Sequence, residues 1–231
     1  MEGESYVPPT IFGRLYAPDP RDRGYAMPKM RTAAIRMERH WKVGPITDQG
    51  SVPSCVGHAW SQFLRSAPVM DVKRQLPLPD TIYEQAQKVD EWPGENYAGT
   101  SLRAGAKVLM SMGLITEYFW AGDIDTVKNY LLTRGPVVVG TDWFEQMSRP
   151  RWMDSKKQKG TMNDAYLEPT GPYLGGHAYL LVGYSKTRRA FRMVNSWAEK
   201  YGEKGRAWIA YDVMDYLIFR LNGEACSALE T

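Results

Sequence analysis

Apolar residues recur with a helical period through the first half of this 231-residue chain and with a strand period through the second. Val56, Trp60, Phe63 and Leu64 share one face of a predicted helix from Cys55 to about Ala67. A second helix is expected from Asp80, a good N-cap, to about Asp90. A third runs over 100–112, with Leu102, Ala106 and Leu109 on one stripe and Gly113 as its stop. A fourth runs over 123–134, with Ile124, Val127 and Leu131 inward and Gly135-Pro136 ending it. Then VVVGT (137–141), HAYLLVGY (177–184), AFRMVNSW (190–197) and RAWIAYDV (206–213) turn β-branched and aromatic and read as strands. Helices followed by strands argue an α+β fold in two lobes rather than alternating βαβ units.

Two regions stand outside this pattern. Residues 1–44, with Pro8, Pro9, Pro18, Pro20 and Pro28, read as an extended arm with little helix, packed on its own domain or on a neighbour. Residues 142–175 read as a long polar loop carrying Trp143, Phe144 and Trp152, and long loops in compact domains are often functional.

Composition excludes several classes. Apolar residues at 43% and charged residues at 24% are near globular averages, against disorder or a fibrous repeat. A net charge of +3 without a long basic run gives no support for nucleic-acid or anionic-membrane binding. Two cysteines, Cys55 and Cys226, make at most one bridge and suit a reducing compartment. No apolar run reaches the roughly 18 residues of a membrane span, and MEGESYVPPT lacks the regions of a signal peptide. The expected setting is cytoplasmic or virion-associated.

Three histidines, His40, His58 and His177, bound any imidazole chemistry. Cys55 falls in the first turn of a predicted helix, where the helix dipole favours a thiolate. His177 opens a strand and Asn195 lies near the end of the next. A hairpin closed by a three-residue loop at Ser185–Thr187 sets Tyr184 across from Arg188 and hence His177 across from Asn195. An Asn carbonyl on one imidazole nitrogen would fix the tautomer and leave the other for a thiol. A slip of one residue would break that pairing. Gln49, six residues before Cys55, could join the Cys55 N–H in stabilising an oxyanion. Cys55 and His58 are three apart on one helical face, but no second pair follows at ligand spacing, so a metal site is not expected. Cys226 has no partner motif and reads as a spectator.

Together these segments resemble the papain-like cysteine peptidases, as a compact bacterial or phage-type member without a long pro-region. GPITDQGSVPSCVGHAWS is similar to the family's glutamine and nucleophile region, GGHAYLLVGY to its general-base strand, and VNSWAEKYGEKGRAWIAYDV to its asparagine–tryptophan motif. GTSLRAGAKVLMSMGLI, LLTRGPVVVGTDW and YAPDPRD also resemble segments of compact members, so the likeness spans about residues 15–215. Cys precedes His and Asn in the family's order, roughly 120 residues separating Cys55 from His177. The resemblance implies a papain-like fold in residues 45–231, with a helical lobe over about 45–118 and a β-barrel-like antiparallel lobe over about 119–231. It implies a peptidase acting on protein or peptide with Cys55 as nucleophile and His177 as base. Asn195 would orient the imidazole, Trp197 would shield that hydrogen bond, and Gln49 would help form the oxyanion hole. It implies no cofactor. Val56, Ala198 and Tyr201 depart from the family's usual aromatic, glycine and second tryptophan, and the disulfide cysteines of secreted members are absent. The arm is too short and too proline-rich for the family's helical pro-region. Two other readings compete: a papain-fold component of a virion or other assembly whose arm grips a neighbour, and a peptidoglycan-cleaving Cys–His amidase.

Overall fold

A computed structural model describes residues 11–30, 38–69, 75–92, 97–153 and 164–231. Among these, five helices and nine strands form the chain's regular structure. The helices are α1 (Cys55–Leu64), α2 (Pro79–Ala86), α3 (Leu102–Ser111), α4 (Ile124–Thr133) and α5 (Tyr211–Phe219). The strands are β1 (Glu38–His40), β2 (Ile115–Trp120), β3 (Val137–Phe144), β4 (Arg151–Met153), β5 (Asp164–Tyr166), β6 (Tyr173–Ser185), β7 (Ala190–Val194), β8 (Arg206–Ala210) and β9 (Glu224–Glu230). All nine join one sheet, ordered β2-β9-β3-β6-β7-β8-β5-β4 with β1 paired to β6. The pairs are antiparallel except β5 with β8.

Alternation along β3 and β6 assigns the two faces. Val138, Ala178, Leu180 and Val182 pack with Val56, Trp60 and Phe63 of α1 and Leu102 and Leu109 of α3. Val137, Val139, Tyr179 and Leu181 pack with Val127 and Leu131 of α4 and Met214 and Leu217 of α5. The mixed α+β class holds, with both sheet faces covered by helices. Trp60 is fully buried, and its indole N–H is satisfied by the Leu102 carbonyl at 3.0 Å, which ties α1 to α3.

The helices keep close to their expected spans where a cap fixes them. Ser101 accepts from Ala104 N and Asp123 from Thr126 N, starting α3 and α4. Asp80 is not a cap: Pro79 opens α2 one residue earlier, and the helix stops at Ala86.

The second half differs more from expectation. The strand expected over 206–213 ends at Ala210, and residues 211–219 turn into α5 because Met214, Leu217 and Ile218 bury one helical stripe. The strand over 190–197 stops at Val194. Residues 142–175 are not one loop. Strand β3 runs on to Phe144, a 3₁₀ turn spans Glu145–Ser148, and β4 and β5 pair; 154–163 lie outside the described residues. Strands β2 and β9 were not expected. Their side chains alternate poorly in hydrophobicity, and they hold through mutual pairing and the edge of β3.

Of the arm, 1–10 (with Pro8 and Pro9) and 31–37 lie outside the described residues. Residues 11–30 lie on the chain's own domain. Asp19 caps a 3₁₀ turn at Pro20–Tyr25, Met27 N donates to Trp120 O at 2.8 Å, and Tyr25 stacks on Tyr118. Residues 38–40 become strand β1 against β6.

Candidate active site

Helix α1 starts at Cys55 without a side-chain cap, because Ser54 makes no such hydrogen bond. Its first N–H groups are therefore turned toward whatever lies at the helix end. Cys55 is fully buried there. Burial pushes its thiol up to about 11, against backbone hydrogen bonds from Ala178, Gly13 and Val56 and the nearby Arg14 cation, which favour the thiolate. The contact with Ala178 sets the sulfur beside β6, one residue past His177.

His177 Nε2 lies 2.8 Å from Asn195 Oδ1. The same oxygen accepts from Ser196 N at 2.8 Å, so it is an acceptor and His177 Nε2 must be the donor. The imidazole thus carries its proton on Nε2, and Nδ1 is buried with no hydrogen-bond partner. His177 and Asn195 are both fully buried. Burial pulls the imidazole down to about 4, the hydrogen bond to Asn195 opposing this.

The hydrogen bond forms by a different route from the expected ladder. The β6–β7 turn takes four residues, 186–189, and a bulge between Leu181 and Gly183 brings the register back by only one residue. Leu180 faces Val194, so His177 is never opposite Asn195 in the sheet; its ladder partner is Thr141 of β3. Asn195 instead leaves β7, its N–H bonded to Gly205 O at 2.9 Å, and its side chain reaches back.

Aromatic rings enclose the imidazole. Trp197 lies 4.8 Å from it between centroids, Trp143 lies 4.7 Å away edge-on, and Phe12 of the arm 5.8 Å away edge-on. Trp197, Trp143 and Tyr179 are each almost wholly buried, so water is kept from the His177–Asn195 bond. Gln49 is held beside the same segment: its N–H donates to Val52 O at 2.9 Å and its Oε1 accepts from Ser196 Oγ at 2.7 Å. Its backbone N–H bonds Ser196 O. Gln62, two turns along α1 from Cys55, donates to Asn195 O and to Thr47 Oγ1. Gln62 and Ser196 were not singled out from sequence, although a polar residue on the buried face of α1 was a visible signal. His58 is buried, 3.6 Å from Asp80, and burial pulls it down to about 4. Among the described residues no three His, Cys, Asp or Glu side chains converge as a metal-holding group. Nor is any helix among them long and apolar enough to cross a membrane.

The arm runs over this centre. Arg14 N donates to Gly176 O, Thr100 N to Gly13 O and Leu15 N to Thr100 O, each at 2.9 Å. Residues 13–15 therefore pair with the backbone at Gly176 and, through an isolated parallel bridge, at Thr100. A Cβ on Gly176 would come within 2.2 Å of the Arg14 carbonyl oxygen, so only glycine lets the arm seat this closely.

Comparison with known proteins agrees with this architecture. No family model matches the chain. An uncharacterized peptidase C1-like protein of Acanthamoeba polyphaga mimivirus is 24% identical over 199 residues, 68% of this chain. The chain spans about three fifths (61%) of that relative's length. Xylellain, a cysteine protease from Xylella fastidiosa, is 22% identical over 98% of both chains with a TM-score of 0.76. Procathepsin L 3 of Tenebrio molitor larval midgut is 14% identical over 95% of this chain and 76% of its own, TM-score 0.64. The bromelain protease of Ananas comosus, solved with the E64 inhibitor, is 16% identical over 85% of this chain and 100% of its own, TM-score 0.59. The chain has the papain-like cysteine protease fold.

Proposed function

We propose that this papain-like fold carries a cysteine peptidase with Cys55 as nucleophile and His177 as general base and acid. Asn195 fixes the imidazole, Trp197 shields their hydrogen bond, and Gln49 with the Cys55 N–H stabilises the oxyanion. The observation that carries the reading is the donor assignment at His177: with Nε2–H committed to Asn195, Nδ1 is left as the free base, and the Cys55 sulfur at the start of α1 meets the backbone of the next residue, Ala178.

In this reading the cleft runs between the helical part, about 45–118, and the β-rich part, about 119–231. His177 Nδ1 takes the Cys55 proton, giving a thiolate–imidazolium pair. The sulfur attacks a peptide carbonyl and the negative charge passes to its oxygen, held by donors at Gln49 and Cys55. Collapse expels the amine, which takes the proton from His177, and leaves an acyl-enzyme. Water, deprotonated by His177, then releases the acid and the thiol. Residues 12–15 must leave before a peptide reaches Cys55, since the seated arm leaves both Cys55 and His177 without exposure.

The seated arm also sets the resting ionisation. A dry site disfavours both charges of the ion pair, holding thiol and imidazole neutral; wetting the cleft favours the pair. The test is hydrolysis of fluorogenic peptides by the chain with Arg14→Ala, with and without Cys55→Ala. Turnover that disappears with the thiol is expected; turnover that persists without it would sink the mechanism.

A further inference from the structure

A row of residues crosses the sheet well away from Cys55. His40 of β1 pairs with Gly183 of β6, Gly183 with Arg192 of β7, and Arg192 with Trp208 of β8. Gly183 lies past His177 on the same strand, at roughly 20 Å along its course. Arg192 shares a face of β7 with Val194, which belongs to the core beneath α1 and α3. Beyond that core the face turns polar. A Cβ on Gly183 would stand 2.7 Å from His40 Nδ1, so glycine leaves the room in which the imidazole lies. The His40 ring reaches over to meet Trp208 edge-on, 5.5 Å between centroids. The result is a cavity of about 320 Å³ whose lining includes Arg188, Arg192, Arg206, Asp164 and Glu203.

Three guanidinium groups meet two carboxylates in this lining. Arg188 is answered, its Nε donating to Asp164 Oδ2 at 3.0 Å. Arg192 is half answered. Its Nη2 donates to Glu203 Oε2 at 2.7 Å, while Nη1 is buried without a hydrogen-bond partner on a side chain only 9% exposed. Arg206 makes no ion pair among the described residues, and its Nη1 donates to the Lys204 carbonyl at 2.9 Å. Burial and then the Arg192 cation lower the Arg206 pKa, with Glu199 and Glu203 opposing. Arg188 and Arg192 lie 4.8 and 4.9 Å from the centroid of the Trp208 ring, whose own N–H is buried without an acceptor. His40, with Nε2 paired to Glu38 at 2.6 Å, adds no net charge.

The lining is therefore short of an anion and of acceptor oxygens. Its surplus of one positive charge matches a monoanion with two oxygens, which a guanidinium fork holds through paired hydrogen bonds. A phosphate dianion would exceed that surplus and be repelled by Asp164 and Glu203. We propose that this cavity is a second binding site, a carboxylate site held by Arg206 and Nη1 of Arg192, separate from the Cys55–His177 centre. The carboxylate comes from an acidic side chain or from the end of a peptide chain. The proposal stands whether or not the chain is a peptidase.

The test uses the full chain labelled with fluorotryptophan and read by fluorine NMR, the Trp208 signal being assigned with Trp208→Phe. N-acetylglutamate amide carries a side-chain carboxylate, N-acetylglutamine amide is its neutral match, and N-acetylalanine carries the carboxylate at the chain end. The Trp208 signal should shift saturably with the glutamate probe, and the glutamine probe should bind at least about tenfold more weakly. The Trp143 signal, beside His177, should stay in place. Arg206→Gln should erase the difference between the two probes; this side chain makes no ion pair among the described residues, so the fold does not rest on one. Saturable binding of N-acetylalanine, with the glutamate probe or instead of it, supports the site and places a chain end there. Absence of a saturable shift with either carboxylate overturns the proposal. So do shifts that Arg206→Gln leaves unchanged, and tighter binding of inorganic phosphate than of either carboxylate.

Discussion

Two largely buried polar pairs sit beneath the arm, and they differ in kind. His177 on β6 and Asn195 just past the end of β7 lie 18 residues apart, and the imidazole is flanked by Trp143 and Trp197. Arg14 and Glu224 lie 210 residues apart, one on the arm and one on β9. In the proposed mechanism the first belongs to the reacting group, and the second holds the arm over it. Breaking the first should damage chemistry and leave the arm seated; breaking the second should release the arm and leave the chemistry whole. The first pair is fully buried and the second largely so, and burial alone does not tell a catalytic group from a latch. What distinguishes them is what each leaves free: His177 keeps an unpartnered Nδ1, whereas Glu224 has its charge spent on the arm.

The strongest way to break the comparison is at the nucleophile. Cys55→Ala should lower hydrolysis by at least about a thousandfold while the thermal unfolding midpoint changes little. Asn195→Ala should come next, lowering kcat by roughly ten- to a hundredfold with a smaller change in KM, since it positions the base and does not react. Both are measured in the Arg14→Ala background, where substrate can enter. Arg14→Ala alone should speed alkylation of Cys55 at pH 7 by at least about tenfold, because removing one member of a buried ion pair costs the seated arm most of that contact. Gly140→Ala should do the same by a few-fold only. Its methyl would press on Arg14 Nε and Leu102 Cδ1, and the long arginine can yield. Unchanged kcat on adding Asn195→Ala, or normal occlusion in the Arg14 variant, would break this assignment of the two pairs.

The ease with which each pair was read from sequence follows the same divide. Cys55, His177, Asn195 and Gln49 each sit inside a contiguous motif, and the structure places Gln49 and Asn195 in one hydrogen-bonded segment through Ser196. The hairpin argument for His177 and Asn195 reached the right contact by the wrong register. The turn has four residues and β6 carries a bulge, yet Asn195 lies past the end of β7, where a side chain can reach back without obeying the ladder. The helices α3 and α4 were legible because capping residues mark their starts. Helix α5 was not. RAWIAYDV is β-branched and aromatic enough to read as strand throughout, and the buried stripe that makes 211–219 helical begins only at Met214. Glu224 was invisible for a different reason. Nothing near it in sequence marks it, and its partner arrives from the other end of the chain. Trp143 lay inside a segment that looked familiar, but its place against His177 depends on β3 continuing to Phe144.

The central claim is that the arm holds a competent thiol–imidazole pair in a neutral, covered state. The direct measurement is the rate of Cys55 alkylation by a thiol-reactive epoxide, followed by intact mass from pH 5 to 11, for the unmodified chain and for Arg14→Ala. In the unmodified chain, burial raises the thiol to about 11 and lowers the imidazole to about 4, so neither charge is favoured at neutral pH. Its rate should stay low through neutrality and rise only on the alkaline side. In Arg14→Ala the wetted pair should form its ions near neutrality, giving rapid labelling of one residue at pH 5–7 that Cys55→Ala abolishes. Equal rates and equal pH profiles in the two chains would contradict the account.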